Sequence, residues 1–189
     1  MRADAPRPKP GSGGGRRPHR APAERPDPED RNAAEATALR ILRAADQSRD
    51  GLRRRLCRHG FSAETAIEVT GKLVEGGWID DQALAASVGA ARRTHGYGRR
   101  RVAADLAARG ITDDAVIAAA LGDDGEAELQ AARDAAMRLR RRFPSGRLGE
   151  SELRRLAAAL QRRGFNHDVI RSILRESDLA DQLADLEDD

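Results

Sequence analysis

The chain has 189 residues, of which 34% are charged and only 3% aromatic. Its core must therefore come from Leu, Ile, Val and Ala, which suits thin helical layers better than a β-sandwich or barrel. One cysteine excludes an internal disulfide and a Cys-rich metal site and fits a reducing compartment. No apolar run approaches a membrane span and no apolar secretory segment begins the chain, so a cytoplasmic protein without a membrane partner is expected.

Charge is unevenly placed. Residues 1–31 hold 8 basic and 5 acidic side chains, residues 32–175 hold 26 and 19, and residues 176–189 hold 7 acidic and none basic. A basic middle thus precedes an acidic end. Arginine outnumbers lysine 32 to 2, the mark of a codon bias, so only clustered arginines carry information.

In chain order, residues 1–31 are rich in Pro, Gly, Arg and Asp and show no apolar period. They are expected to form a disordered tail, read as a dispensable extension or a DNA-binding arm. The Gly11–Gly15 run within it lies among prolines and matches no phosphate-binding pattern. The helical pattern starts near Asn32, with Ala33, Ala36, Leu39, Arg40, Leu42 and Arg43 marking a first helix. Ser48 caps a second, which runs to Gly60. Ser62 caps a third over 63–75, with Ile67, Thr70 and Val74 on one face, and Gly76–Gly77 end it. Asp80 caps a fourth carrying Leu84, Val88 and Ala91, and Ile79 with Leu84 has the spacing of a hydrophobic staple.

The stretch HGYGRRRVAADLAARGI, 95–111, opens with G-x-G at 96–98. A dinucleotide fingerprint would need a third glycine at 101, where Arg101 stands, and a buried strand before it, where a helix end is expected. No G-x-x-x-x-G-K-[ST] occurs in the chain. Gly96 and Gly98 are instead read as separating two helices, with Arg99–Arg101 starting the second. Three arginines there oppose the helix macrodipole, which points them toward something outside the fold, and reversing them to Glu should suit the dipole.

Aligning on Gly60, Gly110 and Gly164 exposes a repeat. Four residues earlier stand Leu56, Leu106 and Leu160, and eight earlier Leu52, Val102 and Leu156. One residue later stand Phe61, Ile111 and Phe165, followed by capping Ser62, Thr112 and Asn166, and then Ile67, Ile117 and, one position early, Ile170. Each unit reads as helix, basic helix, glycine turn, short helix. The expected organisation is a tail to residue 31, repeats over 32–77, 78–122 and 123–176, and an acidic tail over 177–189. The fold class is an all-α, elongated array of three tandem three-helix repeats.

Residues able to support catalysis are few. Asp80–Asp81, Asp113–Asp114 and Asp123–Asp124 have the placement of helix caps and first-turn acids rather than of metal carboxylates. The four histidines lack ligand spacing. Cys57 has no base on its face and reads as a half-buried structural thiol. His59, Arg109 and Arg163 precede the repeat glycines and suit helix C-termini. Trp78, Phe61 and Phe165 are expected to plug the cores, and Tyr97 to be the exposed aromatic. No cofactor or metal is expected. The basic groups of the second helices stand out: Arg53, Arg54, Arg55 and Arg58; Arg99, Arg100 and Arg101; Arg154, Arg155, Arg162 and Arg163. They form either a solvated face or a stripe facing DNA phosphates or an acidic protein surface. The third helices carry acids and no Arg, Asn or Gln for reading bases in a major groove.

The stretch GGWIDDQALAASVGAARRTHGYGRRRVAADLAARGI, 76–111, resembles the RecX family of recombinase regulators. Ile79, Asp80, Asp81, Leu84, Ala85, Arg92, Gly98, Leu106, Gly110 and Ile111 occupy its motif positions. LRRRLCRHGF (52–61) and LAAALQRRGFNHDVIRSIL (156–174) are similar to its first and third repeats. Leu84 stands where Phe is usual, and Gly51 where an acid commonly precedes Leu52. The resemblance covers about residues 36–176. It implies three tandem three-helix units without enzymatic activity. It also implies a monomer bound in the groove of the RecA–DNA filament, restraining filament growth, ATP turnover and strand exchange. A helical-repeat protein that binds single- or double-stranded DNA without RecA is the alternative.

Overall fold

A computed structural model describes residues 26–122, 125–143 and 148–176. The expected tails over 1–25 and 177–189, and Asp123–Asp124, lie outside the described residues. Nine helices and no strands occur among those described. They are α1 (Arg31–Ala44), α2 (Arg49–Arg58), α3 (Ala63–Glu75), α4 (Asp81–Thr94), α5 (Arg99–Arg109), α6 (Asp114–Leu121), α7 (Gly125–Arg140), α8 (Glu150–Arg162) and α9 over 167–176.

The helix starts follow local chemistry. Asp30, Ser48, Ser62 and Asp80 are N-caps whose side chains accept the backbone N–H of Ala33, Gly51, Thr65 and Ala83, satisfying donors that the helix itself cannot. Two starts differ from expectation. Asp113, not Thr112, caps α6, its carboxylate accepting from both Ala115 and Val116. The tail ends before residue 31: Pro28 accepts the Ser62 N–H at 2.9 Å, so residues 26–30 close the first repeat.

Five helix ends, those of α2, α3, α4, α5 and α8, share one device. Gly60, Gly77, Gly96, Gly110 and Gly164 all adopt positive φ. In each case the N–H of the next residue bonds back to a carbonyl five residues upstream: Phe61 to Leu56, Trp78 to Leu73, Tyr97 to Arg92, Ile111 to Leu106 and Phe165 to Leu160. Glycine takes that left-handed conformation without the Cβ clash that any other residue meets.

The helices pack extensively only within triplets: α1, α2 and α3 together, α4, α5 and α6 together, and α7 against α8. Three separate cores result. The repeat columns are their centres. Leu56, Leu106 and Leu160 are each 0% exposed, and Leu52, Val102, Leu156, Phe61, Ile111 and Phe165 are buried with them.

Two helix faces are rotated from expectation. On α1 the buried side chains are Ala34, Ala38 and Ile41; two alanines one turn apart let α2 and α3 approach closely. On α3 they are Thr65, Ala66, Val69, Thr70 and Leu73, with Val74 half-buried, while Ile67 is 50% exposed. The third-helix column is therefore Ala66, Val116 and Ile170, six residues after each glycine, with no slip in the third copy. Ala91 is exposed. Ile79 belongs to the first core and Leu84 to the second, so this pair spans two repeats instead of stapling one.

An arginine-bearing helix column as the candidate interaction surface

The three second helices join end to end. Ser48, which caps α2, donates its hydroxyl to the carbonyl of Arg109 at the end of α5. Arg54 reaches the Ala108 carbonyl at 3.4 Å. At the next joint, the Gly98 N–H donates to the Arg163 carbonyl at 2.8 Å and the Arg100 N–H to the Gly164 carbonyl at 3.1 Å. The start of α5 thus sits on the end of α8, and the start of α2 on the end of α5. Each positive helix N-terminus meets a negative C-terminus, so the macrodipoles run head to tail. Glycine is needed here for approach as well as for turning. A Cβ on Gly51 would stand 2.9 Å from the Arg109 carbonyl oxygen, and one on Gly98 would stand 2.6 Å from the Gly164 backbone.

These joints answer the dipole conflict at Arg99–Arg101. The α8 carbonyls face the α5 N-terminus, and two of the three arginines have partners inside the chain. The Arg99 Nε lies 4.0 Å from Glu128, which also accepts the Arg99 N–H at 3.3 Å. The Arg101 Nε lies 3.2 Å from Asp105, whose other oxygen is 2.8 Å from the Arg92 Nε. The expectation that all three point outward, and that their reversal would stabilise the helix, is therefore corrected: Glu at 99 or 101 would face Glu128 or Asp105. Arg100 alone of the three is exposed with no carboxylate partner among the described residues.

The other candidates divide the same way. Arg53 is 3.0 Å from Asp50, and Arg154 pairs with Glu150. Arg163 bonds the carbonyls of His95 and Gly96 at 3.4 Å each. Arg55 is half-buried on α2. Arg54, Arg58, Arg155 and Arg162 are exposed and face no carboxylate among the described residues. Arg53, Arg54 and Arg58 line an open groove of about 610 Å³ between repeats 1 and 2, together with Cys57, Gly110 and Thr112.

Phe61 and Phe165 are buried as expected, but Trp78 and Tyr97 exchange roles. Trp78 is 63% exposed. Tyr97 is half-buried beneath three guanidinium groups, those of Arg92, Arg163 and Arg101 at 5.4, 5.9 and 6.0 Å from its ring centre. With Asp105 this makes a clasp across the joint of repeats 2 and 3. Cys57 is exposed, not half-buried.

The two acidic pairs within the described residues serve helix starts. Asp80 caps α4, and Asp81 accepts the Arg49 N–H of α2 at 2.9 Å, capping a helix of the preceding repeat. Among the described residues no cluster of His, Cys, Asp and Glu is arranged to hold a metal ion. Also among them, no helix is long and apolar enough to cross a membrane.

Glu176, counted with the acidic tail by charge alone, ends α9. Both its oxygens accept from Arg133 of α7, at 2.9 and 3.0 Å, and Glu126 lies 3.3 Å from the same guanidinium. The Arg133 hydrogen bonds hold the Glu176 carboxyl below the usual glutamate range, and Glu176 raises the arginine further.

Residues 80–121 match the RecX second three-helix domain and residues 126–174 the RecX third three-helix domain. A regulatory protein RecX of Stenotrophomonas maltophilia strain K279a is 40% identical over 142 residues, which is 73% of this chain and 83% of that protein. The chain belongs to the RecX family. The RecX of Trichlorobacter lovleyi is 33% identical over 142 residues, covering 74% of this chain and 92% of its own length. The crystal structure of RecX from Lactobacillus salivarius shares the fold, with a TM-score of 0.69 at 21% identity, covering 79% of this chain and 97% of that one.

Within this RecX fold the motif residues hold joints as well as cores. Ile79 fills the first core, Leu84 the second, and Asp80 and Asp81 cap two helices. Gly98, Gly110 and Gly164 form the two joints, and Gly60 closes against Pro26. Sequence reasoning missed the Tyr97 clasp, Glu128, and the Arg133–Glu176 pair. Only the i, i+4 spacing of Arg101 and Asp105 signalled any of these.

Proposed function

We propose that this chain binds the filament formed by RecA recombinase on DNA and restrains its growth, ATP turnover and strand exchange, acting without catalysis of its own. The observation that carries the reading is the continuous α2–α5–α8 column, on which Arg54, Arg58, Arg100, Arg155 and Arg162 are exposed without internal carboxylate partners among the described residues. Guanidinium groups without carboxylate partners along such a column suit a long, regularly repeating acidic partner. Membership of a family whose members are named regulatory proteins supports a binding role.

The test is co-sedimentation with RecA, with and without single-stranded DNA and nucleotide, together with RecA ATPase at substoichiometric amounts of the protein. Binding that requires the filament and slows turnover supports the reading. Undisturbed turnover refutes it.

A second reading, direct binding to nucleic acid in place of RecA, is favoured by the basic groove lined by Arg53, Arg54 and Arg58. It predicts a steep loss of affinity for naked DNA with rising salt, since each phosphate contact releases counterions. A monomer in the cytoplasm fits both readings.

A further inference from the structure

Trp78 takes no part in the arginine column, its joints or the three cores. It is the only tryptophan of the chain, and it is 63% exposed at the join of α3 and α4. The turn explains its position. Gly77 takes φ +71°, the Trp78 N–H closes on the Leu73 carbonyl at 2.8 Å, and the indole lies across Gly76. Beside it is a cleft of about 340 Å³ whose lining includes Asp46, Gln47, Asp80 and Leu84 and no basic side chain. Asp46 is exposed and has no partner among the described residues. An open indole face flanked by carboxylates is built to receive a cationic, proline-bearing strand. Arginine stacks on tryptophan more favourably than on other rings, and proline-rich segments dock on aromatic shelves.

The chain itself carries such a strand. Residues 16–25 read RRPHRAPAER, and residues 1–25 hold seven basic and two acidic side chains. The described chain begins where this strand would need to leave. A Cβ at Gly60 would lie 3.7 Å from Pro26, and Pro28 bonds Ser62 at the start of α3. Trp78 lies past the other end of α3, whose 13 residues span about 20 Å at 1.5 Å per residue. A polyproline II strand rises about 3.1 Å per residue with three residues per turn, so six residues before Pro26 would cover that distance and reach Arg20, with Arg17 one turn further along the same face.

We infer that the shelf formed by Trp78, Asp46 and Asp80 is a docking site for the chain's own Arg/Pro-rich segment, residues 16–25. The contact covers an apolar surface away from the arginine column and stands independently of the proposed RecA binding.

The lone tryptophan reads the site directly. Indole emission and acrylamide quenching are measured on the full chain and on two full-length variants, Arg16→Glu/Arg17→Glu/Arg20→Glu and Asp46→Asn. Circular dichroism verifies that all three are equally helical. The wild type is expected to emit further to the blue and to be quenched less than the triple variant, with Asp46→Asn in between. Salt at 1 M, where the Debye length is about 3 Å, should bring all three to the quenching of an exposed indole. Equal quenching of wild type and triple variant at low salt overturns the inference. So does protection that persists at 1 M salt, which would mean the fold itself covers the indole. Protection lost on dilution also overturns it, by assigning the strand to a second copy.

Discussion

Replacing Gly98 with alanine isolates the joint between repeats 2 and 3. Gly98 has φ −82° and ψ 168°, extended backbone open to any residue, so the substitution adds no torsional strain. The added methyl would instead meet the Gly164 carbonyl carbon and oxygen and the Phe165 nitrogen, each at 2.6 Å. Comfortable contact needs about 3.5–4.0 Å, so the joint must open by about 1 Å. That separates the Gly98–Arg163 and Arg100–Gly164 hydrogen bonds, now 2.8 and 3.1 Å, beyond useful range. At about 0.5–1.5 kcal/mol each, the loss is about 1–3 kcal/mol, confined to the joint because neither core is touched. Hydrogen exchange reads it residue by residue. Protection of the Gly98 and Arg100 amides should fall by about 5- to 150-fold, the equivalent of that free energy, while amides of α1–α3 stay as protected as before. Unchanged exchange at 98 and 100 would refute the claim that α5 is seated on α8. Uniform loss across all three repeats would refute the claim that the cores are independent.

The same structure fixes the outcome of other substitutions. Arg100→Glu with Arg155→Glu and Arg162→Glu should leave the melting curve nearly unchanged and weaken co-sedimentation with RecA filaments; Arg101→Glu, placed against Asp105, should lower the melt. Leu73→Ala should cost about 2–5 kcal/mol and Ile67→Ser within about 0.5 kcal/mol, because only Leu73 is buried; equal effects in denaturant titration would restore the expected face. Asp81→Ala should cost about 0.5–2 kcal/mol, and a chelator should leave wild-type stability unchanged if the acid is a cap rather than a ligand. The Glu176 carboxyl is lowered by Arg133, so the pair's contribution is present above the usual glutamate range and fades as pH falls through the lowered value. Glu176→Gln should therefore flatten the acid limb of a stability–pH curve and leave the shape of the alkaline limb as in the wild type.

The sequence by itself determined the helical class, the three-unit plan, most caps and the buried columns. Those properties depend on short-range chemistry. A capping oxygen reaches an N–H two or three residues on, a left-handed turn demands glycine, and an apolar residue four before that glycine falls on the inner face whatever lies beyond. The faces of α1 and α3 were misjudged because the stripe that turns inward is chosen by the helix it meets: Ala34 and Ala38 are buried on α1 ahead of Leu39 and Leu42, and Ala66, Val69 and Leu73 on α3 ahead of Ile67. Tertiary structure alone decided the fate of the five glycine turns. All five make the same backbone bonds, yet Phe61, Ile111 and Phe165 are buried, Tyr97 is clasped by arginines and Trp78 is open. The environment of the side chain after each turn is set by the element that happens to oppose it. The arginines divide between sequence and tertiary structure: Asp105, one turn after Arg101 on α5, is visible in the sequence, whereas only the tertiary structure brings Glu128 of α7 to Arg99. That leaves Arg100 as the one of the three without a carboxylate partner among the described residues.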